Sequence, residues 1–200
     1  MESTLMEAAQ SARPAVSPVP SKLAHVVLRS PRFDEMIAWY KLVLGAKASY
    51  ENEGLAFLTY DEEHHRVAIM NIPHLQPRPQ GTAGMDHMAF TFASLADLMA
   101  HYERLKDSGV TPFWAINHGP TTSLYYRDPD ENQVEFQVEN FETLLESNAF
   151  FASPEFAENP IGVDIDLDDL ARRVKAGEPE ADLKKRPNIG PRGLEGIPLR

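Results

Sequence analysis

Two hundred residues, 42% of them hydrophobic, are enough for one or two small domains with a packed core. A formal net charge of -11 argues against a nucleic-acid backbone or an anionic membrane as partner, and the absence of cysteine excludes disulfides, thiolate metal sites and cysteine nucleophiles. With no apolar stretch of membrane-spanning length and no charged-then-apolar leader, the expectation is a soluble, cytoplasmic protein.

Residues 1–21 are rich in Ala, Ser and Pro and read as a mobile arm. A first module, 22–72, opens on the strand Lys22–Leu28 and continues into a helix over Phe33–Leu44 that stops before Gly45. Three strands follow, Ala48–Glu51, Leu55–Tyr60 and Arg66–Ile72, separated by polar turns. Pro73 to Gly84 carries three prolines and two glycines and reads as a linker. The second module, 85–140, repeats the order, with a strand at 86–92, a helix at 95–107 and strands near 110–116, 122–127 and 133–138. Beyond residue 140 the pattern changes. The extension 141–200 reads as partly helical, with helices over Phe141–Phe151 and Asp166–Ala176, and the run from Arg186 to Gly193 is too rich in Pro and Gly for regular structure.

The two modules are copies. At an offset of 62 residues His25 matches His87, and the helix positions Phe33, Met36, Ile37 and Tyr40 match Leu95, Leu98, Met99 and Tyr102. Each set recurs at i, i+3, i+4 and i+7, the apolar stripe of an amphipathic helix. Duplicated strand–helix units bring the two distant histidines to equivalent edges of one cavity. Taken singly, a strand histidine is more often packed than ligating; the matched placement is what makes His25 and His87 candidates.

The run from Tyr125 to Phe136 adds an Asp128-Pro129 turn and a glutamate, Glu135, on the last strand. Alternation points Glu135 either into the cavity or to solvent with Gln133 and Gln137. Tyr125 and Tyr126 have opposite strand parity, so one faces the cavity and the other the far side. Paired βαβββ modules with these residues resemble the vicinal oxygen chelate superfamily (glyoxalase, bleomycin resistance and dioxygenase proteins). Within it, residues 22–140 look most like type I extradiol ring-cleaving dioxygenases. The fold class so implied is α+β, two βαβββ modules around a half-barrel cavity.

The resemblance implies Fe(II), with Mn(II) as an alternative, held by His25, His87 and Glu135, the facial set of two imidazoles and one carboxylate. It implies His65 as an acid–base residue beside the open coordination site, with His64 its alternative. His118 and Tyr125 would converge on the bound substrate. The substrate would be a catechol-type aromatic vicinal diol, cleaved with O2 so that both oxygen atoms enter the product. Phe90, Phe113, Trp114, Ile116 and the tail's Phe150-Phe151 are candidate pocket walls. The family's turn before the last strand usually carries Gly where this chain has Glu131, so a positive φ there implies strain of about 1 kcal/mol or more. Members of this kind usually form dimers, so a homo-oligomer is expected.

Two rival readings remain: a glyoxalase-like isomerase or lyase, and a metal-free small-molecule binder. Aligning Val67-Ala68-Ile69 with Val134-Glu135-Phe136 puts Ala68 where an isomerase would carry a second carboxylate. Antibiotic-modifying thiol transferases share the three ligands but lack the surrounding His65, His118 and Tyr125.

Overall fold

A computed structural model describes residues 18–79 and 81–198; most of the proposed arm, residues 1–17, lies outside the described residues. The first module folds as β1 (Val26–Ser30), α1 (Phe33–Leu44), β2 (Lys47–Glu51), β3 (Leu55–Thr59) and β4 (Val67–Asn71). The second follows with β5 (His87–Thr91), α2 (Leu95–Asp107), β6 (Trp114–Asn117), β7 (Thr121–Arg127) and β8 (Gln133–Glu139). The extension adds α3 (Leu144–Phe151), α4 (Pro154–Glu158), β9 (Val163–Asp164), α5 (Leu167–Lys175), α6 (Glu180–Leu183) and a 3-10 turn at Leu194–Gly196.

Each module makes its own sheet, in the order β1-β4-β3-β2 and β5-β8-β7-β6, and β9 extends the second at the β6 edge. In both, the first strand runs parallel to the last while the other neighbours are antiparallel. The α+β expectation of two βαβββ units therefore holds.

Helix boundaries follow local chemistry. α1 ends because Gly45 takes a left-handed φ of 60° and returns its N–H to the Leu42 carbonyl. α2 starts at Ser94, whose hydroxyl accepts from the Asp97 backbone N–H. The matched stripes, Phe33, Met36, Ile37 and Tyr40 in α1 and Leu95, Leu98, Met99 and Tyr102 in α2, are all buried in one continuous core. Alternate strand residues complete it, among them Leu58, Val67 and Ile69 in the first sheet and Tyr126, Val134 and Phe136 in the second. The opposite sheet faces are left for the cavity.

A buried bond joins the modules: the Tyr40 hydroxyl on α1 donates to Asp128 Oδ2 in the β7–β8 turn at 3.0 Å. Glu131 in that turn has φ 67°, the left-handed backbone expected where the family usually carries Gly, and is the only non-glycine residue so placed among the described residues.

Candidate active site

His25 immediately precedes β1, and His87 is the first residue of β5; both line one cavity of about 430 Å³, with Tyr60 and Phe90 on its wall. That volume is in the range of small-molecule sites. The two histidines nonetheless belong to separate clusters, one on each module.

On the second module, β8 alternation sends Val134, Phe136 and Val138 into the core and Glu135 to the cavity face, where it is 4% exposed. His87 Nε2 lies 3.0 Å from Glu135 Oε2, and the Asp86 carboxylate takes His87 Nδ1 at 2.7 Å. The bond to Glu135 is the main reason the His87 imidazole is pushed up to about 9, with Asp86 adding to it and burial opposing. Burial alone would raise Glu135; the bonds from His87 and Ser123 hold it below the usual carboxylate range instead. The two directions agree on an imidazolium–carboxylate pair.

Tyr125 stands edge-on to His87, ring centres 5.3 Å apart. Burial, reinforced by the Glu135 charge, drives its hydroxyl far above the usual phenol value. His118 Nε2 lies 3.0 Å from that hydroxyl, and His118 Nδ1 is in close contact with the Ile161 carbonyl. Burial holds the His118 imidazole below its usual value against the opposing pull of Ile161. Trp114 stacks on Tyr125 at 5.0 Å and Phe113 flanks it at 6.3 Å, so this wall is aromatic. Tyr126, of opposite parity, is fully buried in the core, as alternation requires.

On the first module, His25 lies against His65, ring centres 4.2 Å apart, and His65 stacks on Phe57 at 4.4 Å. Of the two adjacent histidines, His65 is buried and His64 exposed, their Nδ1 atoms 2.5 Å apart. Burial first, then the neighbouring His25 and His64, push the His65 imidazole below its usual value. Arg66 grips the carbonyls of Leu23 and Ala24 at 3.0 and 3.1 Å while pairing with Asp61 at 2.9 Å. It thereby anchors the segment that ends in His25.

The structure thus brings His87, Glu135, Tyr125 and His118 together on the second module and His25 with His65 on the first, and His25 and His87 line one cavity. Among the described residues, no three His, Asp or Glu side chains are gathered tightly enough to hold a metal ion. The donor chemistry fits a divalent cation, with two imidazoles lining one cavity and a carboxylate beside one of them, and the Asp86 carboxylate on the far nitrogen of His87 is the usual companion of a ligating histidine. Register bears out the alignment of the two last strands: Val27 pairs with Ala68 as its repeat mate Ala89 pairs with Glu135, so a buried alanine holds the place of a second carboxylate.

Some expectations shift. Phe150 packs over Gly119, beside Phe141 and Phe156, and Phe151 is half exposed against Phe156, so their ring contacts are with one another and with Gly119 rather than with Tyr125. Sequence reading missed Asp86, Ser123, Phe57 and Arg66. Two left a trace: Asp86 adjoins His87, and Ser123 shares the face of Tyr125 at period two.

A family profile described as the Glyoxalase/Bleomycin resistance protein/Dioxygenase superfamily matches residues 22–136. The chain is 50% identical over 159 residues to biphenyl-2,3-diol 1,2-dioxygenase 2 of Rhodococcus globerulus, covering 79% of this chain and 84% of that protein. It is 46% identical over 170 residues to biphenyl-2,3-diol 1,2-dioxygenase 3 of the same organism, covering 84% and 90%. A solved glyoxylase/bleomycin resistance protein/dioxygenase domain from Frankia sp. EAN1pec shares the fold, with a TM-score of 0.53 at 20% identity over 62% of this chain and 96% of that one. Repeat, sheet order and these matches agree, and the chain belongs to the glyoxalase/bleomycin resistance protein/dioxygenase superfamily.

Proposed function

We propose that the protein is an extradiol dioxygenase that opens the ring of a catechol-type diol with O2, and that biphenyl-2,3-diol, named for its relatives, is of the substrate class it takes. The observation that carries this reading is the convergence of His87, Glu135, Tyr125 and His118 on one aromatic-walled face of the second sheet, with His87 also lining the cavity that His25 borders. His25, His87 and Glu135 would hold Fe(II), with Mn(II) an acceptable substitute for the same donors. When bound, the metal supplies Lewis acidity toward the diol hydroxyls and the electrons that O2 chemistry requires.

The residues contribute position and protons. Trp114 and Phe113 offer a flat apolar wall to an aromatic ring and exclude water beside Tyr125. Tyr125 keeps its proton, because burial beside Glu135 disfavours the phenolate, so it donates a hydrogen bond rather than acting as a base. His118 is neutral, and its Nε2 accepts from that hydroxyl; it donates a proton to substrate only after first taking one up. His65, neutral and stacked on Phe57, is placed beside His25 to take or hold a second proton. Ala68 in the register position of Glu135 weighs against the isomerase alternative, which needs the second carboxylate.

The test is anaerobic Fe(II) loading, then oxygen uptake and visible absorbance with catechol, 2,3-dihydroxybiphenyl and 1,2-dihydroxynaphthalene. A yellow product formed in step with oxygen consumption is expected. Glu135→Gln should lose at least about tenfold in iron affinity, and the activity with it. An iron-loaded protein that consumes no oxygen with any of the three diols, or a Glu135→Gln variant that keeps full iron, would overturn the reading.

A further inference from the structure

The C-terminal extension is built into the site rather than laid over it. After α4, buried Asn159 folds the chain back: its Oδ1 accepts from the N–H groups of Ile161 (3.2 Å) and Gly162 (2.7 Å), and its Nδ2 donates to the Gly162 carbonyl (3.1 Å). The turn aims the Ile161 carbonyl at His118 Nδ1. Gly162, at φ 121°, passes so close to β6 that a Cβ would stand 2.3 Å from the Asn117 carbonyl oxygen and 2.8 Å from His118 Cα. β9 then pairs with β6, Val163 opposite Asn117.

Arg186 closes the arrangement from the other side. Its side chain is 3% exposed, and its Nη1 donates to the carbonyls of His118 (3.1 Å) and Asn159 (2.8 Å) while Nη2 donates to that of Glu155 (3.2 Å). One buried cation thus ties the turn to the backbone of the histidine it addresses.

A carbonyl oxygen only accepts, so the ring nitrogen facing it carries the hydrogen. With Nδ1–H committed to Ile161, neutral His118 has its lone pair on Nε2, 3.0 Å from the Tyr125 hydroxyl, so Nε2 is an acceptor that shares the hydroxyl's one hydrogen with the Glu135 carboxylate. We propose that the segment from Asn159 to Arg186 is a positioning element of the reaction site, holding His118 as its Nδ1–H tautomer so that Nε2 is a proton acceptor toward Tyr125. Asn159 and Arg186 act through His118 and are positioning residues. The tautomer stands on geometry alone; only its kinetic consequence rests on the dioxygenase reading.

The experiment is 15N NMR of the histidine-labelled full chain, with the His118 resonances assigned by their loss in His118→Gln. The parent is expected to show His118 protonated on Nδ1 and bare on Nε2. Asn159→Ala should shift a large share of His118 to the other tautomer, and Arg186→Lys a smaller share; the milder variant carries the test if Asn159→Ala does not fold. A His118 protonated on Nε2 in the parent, or one that stays Nδ1–H in both variants, overturns the proposal. In the iron-loaded enzyme Arg186→Lys should lower kcat by about tenfold while leaving KM within about a factor of two. An unchanged kcat despite a displaced tautomer also overturns it. A parent without turnover refutes the dioxygenase reading instead, and leaves the tautomer measurement standing.

Discussion

At the scale of single residues, Glu131 shows what departure from a family pattern costs. It holds φ 67°, with its N–H returned to the Asp128 carbonyl at 2.9 Å. A left-handed backbone costs a residue with a Cβ roughly 1–2 kcal/mol. Glycine's extra freedom in the unfolded chain cancels about 0.4–1 kcal/mol of the gain from replacing it. The exposed ion pair from Arg127 to Glu131, at 3.6 Å, contributes little against that balance. Glu131→Gly is therefore expected to stabilise the protein by about 0.5 kcal/mol, read as a higher urea midpoint; a lower midpoint would mean the glutamate makes contacts that outweigh its backbone strain. This position was legible beforehand because a backbone requirement attaches to a residue type. The carbonyl of Ile161 was not, since main-chain oxygens are the same at every position and only tertiary structure says where one points.

At the scale of elements, the repeated apolar stripes made α1 legible to the residue, Phe33–Leu44, and α2 likewise, because 12 or 13 residues hold more than three helical turns of pattern. β9 has two residues and α6 four, too few for any period to declare itself. α2 also carries a residue its stripe did not announce. His101 is buried between Phe92 and Phe136, with Arg104 Nη2 at 3.1 Å from its Nδ1. Burial, seconded by the Arg104 charge, lowers its pKa to about 4. Because the folded value lies below that of the unfolded chain, the stability it confers is complete above about pH 6.5 and is lost as pH falls toward 4. Each pH unit crossed in that window costs at most about 1.4 kcal/mol. Denaturant midpoints at pH 7.5 and 5 should therefore diverge more in the parent than in His101→Leu, and an equal fall in both would remove His101 as a source. His87 acts in the opposite sense: its folded value of about 9 gives stability that is full below about pH 6.5 and lost as pH rises through 9.

At the scale of the whole molecule, the two modules share one core and are latched by the buried bond from Tyr40 to Asp128. Asp128 is otherwise occupied by the backbone N–H groups of Asp130 and Asn132 and by the Asn132 side chain, so removing the tyrosine hydroxyl leaves a buried carboxylate one donor short. Hydrogen bonds to charged groups are worth about 1.5–3 kcal/mol, and Tyr40→Phe should lose about that much stability. Calorimetry of the variant against the parent checks it; an unchanged unfolding temperature would mean the latch bears no weight.

The same architecture divides the cavity into two internally braced blocks. His25, His65 and Arg66 are held to one another on the first module, while His87, Glu135, Tyr125 and His118 are held to one another on the second. A ligand that spans from His25 to His87 must therefore touch both blocks at once, and the shared core with the Tyr40–Asp128 bond fixes the distance it has to bridge.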